Sequence, residues 1–414
     1  MAKNPRVVLL MAPFAGFDRG LLEGISRYTQ LHGPWMFYWP NDYPEVPWAA
    51  SESVGGSIRG QEYLPARGGS PLARLRRWGA AGVIGRILNA ATAGKILACG
   101  LPAIGIDLPG AKAARTGALA RISEIRTDSH QVGRMAAEHF LDRGFGHFAF
   151  CGFAGRDWSR RRQEGYCARL QEAGYACDVF PSARHSRPLS WEEEQPAVVA
   201  WLKTLPTPVG VMACNDDRGR QVLEASLLAP RSVPDDVAVV GADDDHVICN
   251  LSNPPLSSVV FNLEQAGYRA AELLDGLMEG RITAPQEVVV EPLRVVARRS
   301  TDVIATEDRH VARSLQFIRD QARQPIGVDD VVAAAGISRR GLEIRFRQAL
   351  GRPIRAEIQR VRLALARQLL AETGLPAQRI AELAGFSSLP YLSNVFHREV
   401  GLTLAEYRRR SRSP

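Results

Sequence analysis

Short apolar runs alternate with longer amphipathic stretches from residue 5 to about residue 300. Valine, isoleucine and aromatic residues dominate the runs, and glycine, proline or aspartate bounds them, which is typical of buried strands. The runs are RVVLLM, WMFYW, AGVIG, AIGID, HFAFCG, VGVMAC, VAVVGAD and EVVVEP. Stretches between them, such as RGLLEGISRYTQ and QAGYRAAELLDGLMEG, repeat apolar residues at helical spacing. This alternation predicts parallel sheets covered by helices, and about 300 residues exceed one ordinary core, so we expect two α/β lobes.

After residue 309 the pattern becomes helical only. Apolar spacing predicts helices near 309–323, 328–335, 338–349, 354–372, 376–384, 388–399 and 403–410. Glycines fall where these helices end, at Gly336, Gly351, Gly374, Gly385 and Gly401. The stretch RRSTDVIATEDRH before them follows neither pattern. We therefore expect a two-lobed α/β domain at 1–303, a linker at 304–308 and an all-helical domain at 309–414.

Several segments bear on where the protein works. Residues 50–70 and 181–191 are rich in glycine, serine or proline, which predicts exposed loops.

The start MAKNPRVVLLMAPFAGFDRG could imitate a secretion signal. Its apolar run is short and Asp18 and Arg19 follow without a small-residue cleavage site, which favours a first buried strand. No stretch of about 18 apolar residues predicts a membrane span. The six cysteines lack metal-binding spacing and are expected to be free thiols in a reducing cytoplasm.

The positive charge of the chain is concentrated at its C-terminal end. Residues 307–414 contain 19 arginines, no lysine and 11 acidic residues, whereas the remainder has 33 residues of each sign, so the whole net charge of +8 lies in the last quarter. This distribution is expected for a nucleic-acid-binding domain fused to a neutral partner. A basic solvated face would give the same count, so the charge alone does not establish nucleic-acid binding.

Two helix–turn–helix patterns occur in this basic region, at about 328–349 and 376–399. They are VDDVVAAAGISRRGLEIRF and QRIAELAGFSSLPYLSNVF, each with a short helix, a glycine for the turn and a second helix opened by serine. The intervening helix at 354–372 would span roughly 28 Å at about 1.5 Å per residue. One turn of B-DNA is about 34 Å. Two recognition helices could therefore enter successive major grooves on one face of a duplex.

The last ~105 residues resemble the arabinose-regulator (AraC/XylS) family of transcription factors. The matching residues are Ile380, Ala381, Gly385, Phe386, Tyr391, Phe396, Gly401, Tyr407 and Arg408, whereas Pro390, Leu392 and Leu404 depart from the usual pattern. The resemblance implies that exposed residues early in each recognition helix face bases: Arg339, Arg340 and Glu343 in the first motif, and Ser388, Leu389, Tyr391 and Asn394 in the second. Arg347, His397 and Arg398 are expected to contact the DNA backbone. Arg339 and Arg340 could equally contact only phosphate.

Residues 5–300 resemble the sensor domain of the lactose/galactose-repressor (LacI/GalR) family, which is similar to periplasmic sugar-binding proteins. The blocks that carry the resemblance are RTDSHQVGRMAAEHFLDRGFGHFAFCG, RRRQEGY, CNDDRGRQVLEA, VPDDVAVVGADDD, PPLSSVVFNLEQAGYRAAELL and EPLRVVARRST. The N-terminal helix–turn–helix usual in that family has no counterpart, so we expect the C-terminal domain to bind DNA. A sensor followed by an arabinose-regulator domain resembles the regulators of xylose operons, which implies an activator.

A sugar needs hydrogen bonds from carboxylates, amides and arginine, and an aromatic surface against its C–H groups. Such residues follow the predicted strands, where open α/β sheets bind ligands. We expect the ligand to contact Phe17, Asp18, Arg19, Trp158, Arg162, Asn215, Asp216, Asp243 and Asp244. Arg162 matches the ligand-binding arginine of the resembled family. Asp216 and Asp243 could instead cap helices, Arg19 could be solvated, and Asp128 could cap a helix or line the cleft.

Together these features predict a sequence-specific DNA-binding transcription regulator controlled by a small sugar, D-xylose or a similar one. We expect a homodimer that binds double-stranded operator DNA and acts with RNA polymerase as an activator; a repressor and a sugar-transport binding protein are the alternatives. An enzyme is not expected, since the sequence has no nucleophile elbow, P-loop, dinucleotide fingerprint or metal cluster. The run VVGADDDH could imitate a metal site, but neither a metal nor another cofactor is expected.

Overall fold

The computed structural model describes residues 4–39, 78–110, 115–181, 189–303 and 308–412. The predicted loop at 50–70 lies outside the described residues, as do 182–188 of the predicted loop at 181–191 and 304–307 of the predicted linker. Internal contacts divide the chain into two units, Met1–Asp142 with Gly146–Asp302, and Arg143–Phe145 with Val303–Pro414.

The strands of the described residues all lie in the first unit. They are β1 (Arg6–Leu10), β2 (Met36–Tyr38), β3 (Gly82–Gly85), β4 (Ala103–Ile106), β5 (Ser123–Thr127), β6 (His147–Cys151), β7 (Asp178–Val179), β8 (Val209–Ala213), β9 (Val237–Ala242), β10 (Ser257–Phe261), β11 (Glu287–Val290) and β12 (Pro292–Val296). Each of the eight runs that predict strands contains one of them. The sequence pattern missed β5, β7, β10 and β12, which are shorter or more polar.

The helices α1 to α8 belong to the first unit and α9 to α15 to the second. They are α1 (Gly16–His32), α2 (Ala90–Ala98), α3 (Ser129–Leu141), α4 (Asp157–Glu172), α5 (Trp191–Thr204), α6 (Asp216–Leu228), α7 (His246–Leu251), α8 (Leu263–Met278), α9 (Arg309–Gln321), α10 (Val328–Ala335), α11 (Arg339–Leu350), α12 (Ile354–Glu372), α13 (Ala377–Leu383), α14 (Leu389–Val400) and α15 (Leu404–Arg412). No helix of the described part is long and apolar enough to cross a membrane.

Two six-stranded sheets form the two lobes of the first unit. Their strand orders are β11-β5-β4-β3-β1-β2 and β12-β10-β9-β8-β6-β7. Every neighbouring pair is parallel except β10 and β12. Helices pack on these sheets, as expected for parallel strands joined by crossovers. The predicted α/β two-lobed fold is therefore confirmed.

The chain passes between the lobes three times, after β5, after β10 and between β11 and β12. Backbone hydrogen bonds join these crossings: the Asp128 N–H donates to the Val290 carbonyl at 3.0 Å, and the Asn262 N–H donates to the Glu291 carbonyl at 3.4 Å. Asp128 also caps α3, since its carboxylate accepts from the Gln131 N–H at 3.1 Å. Three short, mutually bonded crossings leave the two lobes connected by a narrow hinge.

Glycines allow two helix pairs to pack at backbone contact. A Cβ at Gly267 on α8 would lie 2.0 Å from the Leu21 carbonyl oxygen of α1, and a Cβ at Gly165 on α4 would lie 2.0 Å from the His130 carbonyl oxygen of α3. No L side chain fits such an approach without a backbone shift. These glycines therefore set the distance between the paired helices in each lobe.

The helical unit contains the two expected helix–turn–helix motifs. The first consists of α10 and α11, joined at Gly336 with φ +70°, and the second consists of α13 and α14, joined at Gly385 with φ +78°. Ser338 and Ser388 cap the recognition helices α11 and α14, as their position in the sequence predicts. The helix ends differ from the predicted ones by no more than two residues, and serine and glycine bound both recognition helices.

The long helix α12 contributes to the hydrophobic cores of both motifs. Ile354, Ile358 and Val361 pack in the core around α10 and α11. Leu363, Ala366 and Leu370 pack in the core around α13 and α14. Since each half of one continuous helix is fixed in a different core, α12 holds the two motifs at a defined separation.

We predict that Gly267→Ala lowers the free energy of unfolding of the α/β unit by about 1–3 kcal/mol, because the new methyl group would displace the α1 backbone. Gly94→Ala in α2 is the matched control: the nearest atom to its Cβ would be 3.9 Å away. Alanine favours a helix by about 0.5–1 kcal/mol over glycine, so the control should be neutral or stabilising. Urea denaturation followed by tryptophan fluorescence measures both; equal effects would contradict the close-packing argument.

Candidate functional site

A cavity of about 240 Å³ lies between the two lobes, at the carboxyl ends of the strands. The first lobe supplies residues that follow β1, β3 and β4, and the second supplies residues from α4 and from the segments after β8 and β9. The lining residues are Phe14, Ala15, Gly16, Phe17, Arg86, Asp107, Trp158, Arg162, Asn215, Asp216, Asp217, Arg220, Asp243, Asp245 and Ile248. The location is that expected for a ligand site in open α/β sheets.

Arg162 is the best-anchored cation of the cavity. Its side chain is buried, with one Nη atom donating to the Cys214 carbonyl and the other to Asp243 Oδ1 at 3.1 Å. The guanidinium carbon lies 5.1 Å from the centre of the Trp158 ring and 5.5 Å from that of Phe261. The contacts hold the guanidinium in one orientation before any ligand arrives.

Asp18 acts on the cavity through a second arginine. Its carboxylate is fully buried and does not line the cavity; it accepts from the Ala12 N–H at 2.8 Å and from Arg86 Nη2 at 2.7 Å. Arg86 does line the cavity. The sequence singled out Asp18 and missed Arg86, because a lone arginine after a strand resembles any solvated cation.

Asp216 and Asp243 place two carboxylates in the buried wall of the second lobe. Asp216 accepts from the Asp245 N–H at 2.7 Å and from the Ser258 hydroxyl at 2.5 Å. Burial raises the pKa of Asp216 well above its usual range, and the nearby Asp243 adds to the rise. Burial also raises the pKa of Asp243 to about 6, although Arg162 opposes that shift. A raised pKa favours the protonated carboxyl, so this wall can donate as well as accept hydrogen bonds.

The other expected ligand residues occupy different places. Asn215 lines the cavity and also caps α6, since its side-chain oxygen accepts from the Arg218 N–H at 3.0 Å. Arg19 is outside the lining and donates to Asp245 Oδ2 at 2.8 Å. Asp244 is also outside the lining and pairs with Arg298 at 2.8 Å. Arg19 and Asp244 thus face neighbouring side chains rather than the cavity surface.

The structure adds polar lining residues that the sequence reading missed. Asp107, Asp217, Arg220 and Asp245 line the cavity beside the expected residues. Asp107 directly follows β4 in the run AIGID, so the rule that ligands bind after parallel strands could have found it. Arg220 lies one helical turn into α6, and nothing in the sequence separates it from a surface arginine.

Aromatic rings complete the cavity on its apolar sides. Phe17 packs edge-on against Phe261 with ring centres 6.1 Å apart, and Trp158 presents its ring beside Arg162. Rings next to carboxylates and arginines suit a small molecule that carries hydroxyl groups on a C–H framework. Among the described residues no group of three histidine, cysteine or acidic side chains is placed to hold a metal ion.

The second candidate site is the exposed surface of the two recognition helices. The exposed side chains there are Arg339, Arg340, Glu343, Arg347, Tyr391, Asn394, His397 and Arg398. Arg339 pairs with Glu343 at 3.1 Å and with Asp329 at 2.9 Å, but exposed pairs are weak and can exchange for DNA contacts. Ser388 caps α14, and Leu389 packs partly against the second core. These two residues therefore have structural contacts as well.

A two-lobed α/β domain with a polar interlobe cavity, followed by paired helix–turn–helix motifs, defines a DNA-binding regulator that senses a small molecule. Two family models match the corresponding parts of the chain. A periplasmic binding protein-like domain matches residues 120–301, and a helix–turn–helix domain matches residues 331–410.

The xylose operon regulatory protein of Escherichia coli K12 is 30% identical over 98% of this chain and 97% of its own length. The protein of that name from Haemophilus influenzae is 31% identical over 69% of this chain and 74% of its own length. The chain belongs to the family of xylose operon regulatory proteins. It is a sugar-sensing, DNA-binding transcription regulator. Transcription regulators are not a class of enzymes.

Solved structures agree with this assignment. The structure of a xylose-binding transcription activator matches with a TM-score of 0.71 and 29% identity, covering 98% of both chains. The complex of the regulator CelR with cellobiose matches 72% of this chain and 86% of its own, with a TM-score of 0.54 at 20% identity. The second match concerns the fold alone.

The raised pKa of Asp243 predicts a pH-dependent stability of the sensor domain. A pKa of about 6 in the folded state exceeds the value of about 3.9 in the unfolded chain, so protonation favours the folded state. The contribution of Asp243 is present below about pH 4 and is lost as the pH rises through about 6. Relative to Asp243→Asn, the free energy of unfolding of the wild-type protein should fall between pH 4 and pH 7.

Urea denaturation at several pH values measures this difference. All seven tryptophans lie between residues 35 and 201, so tryptophan fluorescence follows the sensor and not the helical domain. A difference between the two proteins that stays constant or grows with pH would contradict the assignment.

Proposed function

We propose that D-xylose, or a closely similar pentose, binds in the cavity between the lobes and controls binding of the helical domain to operator DNA. The pair of the buried Arg162 with the partly exposed Asp243, beside the Trp158 ring, carries this proposal. It offers donors, acceptors and an apolar face within one small space. A volume of about 240 Å³ is below the range of roughly 300–1,000 Å³ for drug-sized ligands, which favours a monosaccharide. The names of the relatives support xylose.

The lining residues divide into three roles in this proposal. Arg86 and Arg162 donate to sugar oxygens, and Asp216 and Asp243 accept from sugar hydroxyls. Phe17 and Trp158 face the C–H groups of the ring, and Asn215 adds one amide. Because both lobes contribute, a bound sugar contacts more groups when the lobes close. It thereby favours the closed arrangement, as an effector must if it is to shift an equilibrium.

On the DNA side, we propose that the paired motifs bind successive major grooves of a double-stranded operator. Arg340, Glu343, Tyr391 and Asn394 are exposed near the starts of α11 and α14, where base edges are within reach. Arg339 joins them when it exchanges its acidic neighbours for DNA. Arg347, His397 and Arg398 lie further along these helices and contact phosphates, which sets the register of the protein on the duplex.

We propose that the sensor domains form a homodimer through α6 and α7. Leu227 and Leu228 at the end of α6 and Val247 and Leu251 on α7 are apolar yet exposed, with Leu251 79% accessible. The same helices supply the cavity with Asp216, Asp217, Arg220 and Ile248. A sugar that moves these helices therefore changes the dimer surface, and with it the spacing of the two DNA-binding domains. We further propose that the dimer works in the cytoplasm and activates transcription with RNA polymerase.

Replacing Arg162 tests the sugar site. Arg162→Gln should weaken xylose binding by about 10- to 100-fold, because charge-assisted hydrogen bonds contribute about 1.5–3 kcal/mol each. Arg160→Gln is the matched control, since it makes the same charge change on the same helix, and Arg160 pairs with Asp157 and Glu164 of that helix outside the cavity lining. Isothermal titration against xylose and a panel of other pentoses and hexoses measures the affinities. Equal loss in both variants, or unchanged binding in Arg162→Gln, would refute the site.

The dimer has its own test. Leu251→Glu should shift the protein from dimer to monomer in sedimentation equilibrium, because a charge in the centre of an apolar interface is desolvated without a partner. Leu31→Glu on α1 introduces the same change at a side chain that is 66% exposed in the other lobe, and it should leave the mass unchanged. A wild-type monomer at micromolar concentration would exclude this interface, and so would a dimer that persists in Leu251→Glu.

A further inference from the structure

A groove of about 530 Å³ lies in the helical domain between the two helix–turn–helix motifs. Residues 326–328 at the start of the first motif form one side, and residues 386–391 of the second motif form the other. Arg355, Gln359 and Arg362 of α12 lie between them. None of the lining residues is acidic. In a domain with 19 arginines and 11 acidic residues, the groove is therefore a positive surface rather than a mixed one.

The groove is continuous with the surface of the second recognition helix. Gln359 Nε2 lies 3.5 Å from the Tyr391 hydroxyl, to which it donates, and Gln359 Oε1 accepts from Arg398 Nη2 at 3.5 Å. On α14, we assign Tyr391 to a base contact and Arg398 to a phosphate contact. Gln359 thus lies beside the DNA-facing side chains and shares its hydrogen-bonding groups with them.

The two arginines of the groove have different surroundings. Arg362 is held by the protein, since its Nε donates to the Ala322 carbonyl at 2.8 Å and its Nη2 to the Gln324 carbonyl at 2.7 Å. Arg355 is exposed and makes no hydrogen bond or ion pair with any described residue. Arg362 therefore builds the floor of the groove, and Arg355 presents a charge that the protein does not use.

The floor of the groove is closely packed. A Cβ at Gly385 would lie 2.1 Å from the Ala322 carbonyl oxygen, the same oxygen that accepts from Arg362. The turn of the second motif is therefore pressed against the segment that leads into the first. These contacts join the two walls of the groove through the backbone.

We propose that this groove binds the sugar-phosphate backbone of the operator segment that lies between the two major-groove sites. The inference rests on the proposed DNA binding and adds a third contact to it. Arg355 supplies the charge and Gln359 a hydrogen-bond donor to phosphate oxygens. Recognition helices about one DNA turn apart leave a backbone segment crossing the space between the motifs. Phosphate contacts of this kind carry no base information but fix the register of both helices.

Salt dependence distinguishes a phosphate contact from a structural role. Each neutralised phosphate contributes about 0.9 to the slope of log affinity against log salt concentration. Arg355→Gln should therefore lower this slope by about one and weaken all duplexes by the same factor, about 5- to 20-fold at low salt. Arg355→Lys should keep most of the slope. Arg313→Gln, an exposed arginine on α9 without a described partner, is the matched control and should behave as wild type.

The experiment uses the full chain and a duplex that the wild-type protein selects from a random-sequence library. Fluorescence anisotropy between 50 and 200 mM salt gives the slopes, and competition with single-base variants gives the sequence preference. Arg340→Ala should change that preference, whereas Arg355→Gln should not. A wild-type slope in Arg355→Gln, or a changed base preference, would overturn the groove contact alone. Failure of the wild-type protein to select any duplex would overturn both the groove contact and the proposed DNA binding.

Discussion

Arg162 brings a positive charge into a wall that contains several carboxyl groups, and the geometry of the sensor cavity depends on how that charge is held. A guanidinium removed from water is costly unless carboxylate and carbonyl oxygens replace its hydration. Asp243 and the Cys214 carbonyl fill that role from two different strand ends. Arg86 in the opposite lobe is held in the same way by the fully buried Asp18. Each lobe therefore carries one fixed arginine, and both line the same cavity.

The carboxylates of the second lobe follow from the same constraint. Asp216 is almost fully buried and is stabilised by one hydroxyl and one backbone N–H, but it has no arginine of its own within hydrogen-bond distance. Its raised pKa is the consequence. Asp244 forms an ion pair with Arg298, which lies four residues before the end of the α/β unit. Asp243 and Asp244 both have positive φ, +109° and +52°, a strained conformation that these surrounding bonds maintain.

Much of this arrangement can be predicted from the sequence, and the residues that escape prediction share a cause. Strands with β-branched apolar runs are easy to recognise, whereas β5 has the sequence SEIRT and its core role depends on its neighbours. Helix ends in the DNA-binding domain carry local markers such as Gly336 and Ser388, so they need no tertiary information. The residues that line the cavity, in contrast, can be found only with tertiary information. Asp18 and Arg86 are 68 positions apart, and only the folded sheet shows that the first orients the second.

The net charge of the DNA-binding domain does not show which of its arginines contact DNA. Its arginines explain why the net charge of +8 lies there, but many of them serve the fold. Arg352 and Arg360 both pair with the buried Glu357, Arg345 pairs with Asp308, and Arg408 donates to the Leu375 carbonyl.

The described arginines without such contacts are fewer: Arg313 and Arg323 in and after α9, Arg340 and Arg347 on α11, and Arg355 on α12. Arg340 and Arg347 are exposed on α11 and have no described partner, and Arg355 is the corresponding residue of α12. Since α12 is embedded in both cores, these charges keep fixed distances from the recognition helices. A guanidinium that the protein leaves unused is therefore a guide to DNA contact that the sequence alone does not reveal.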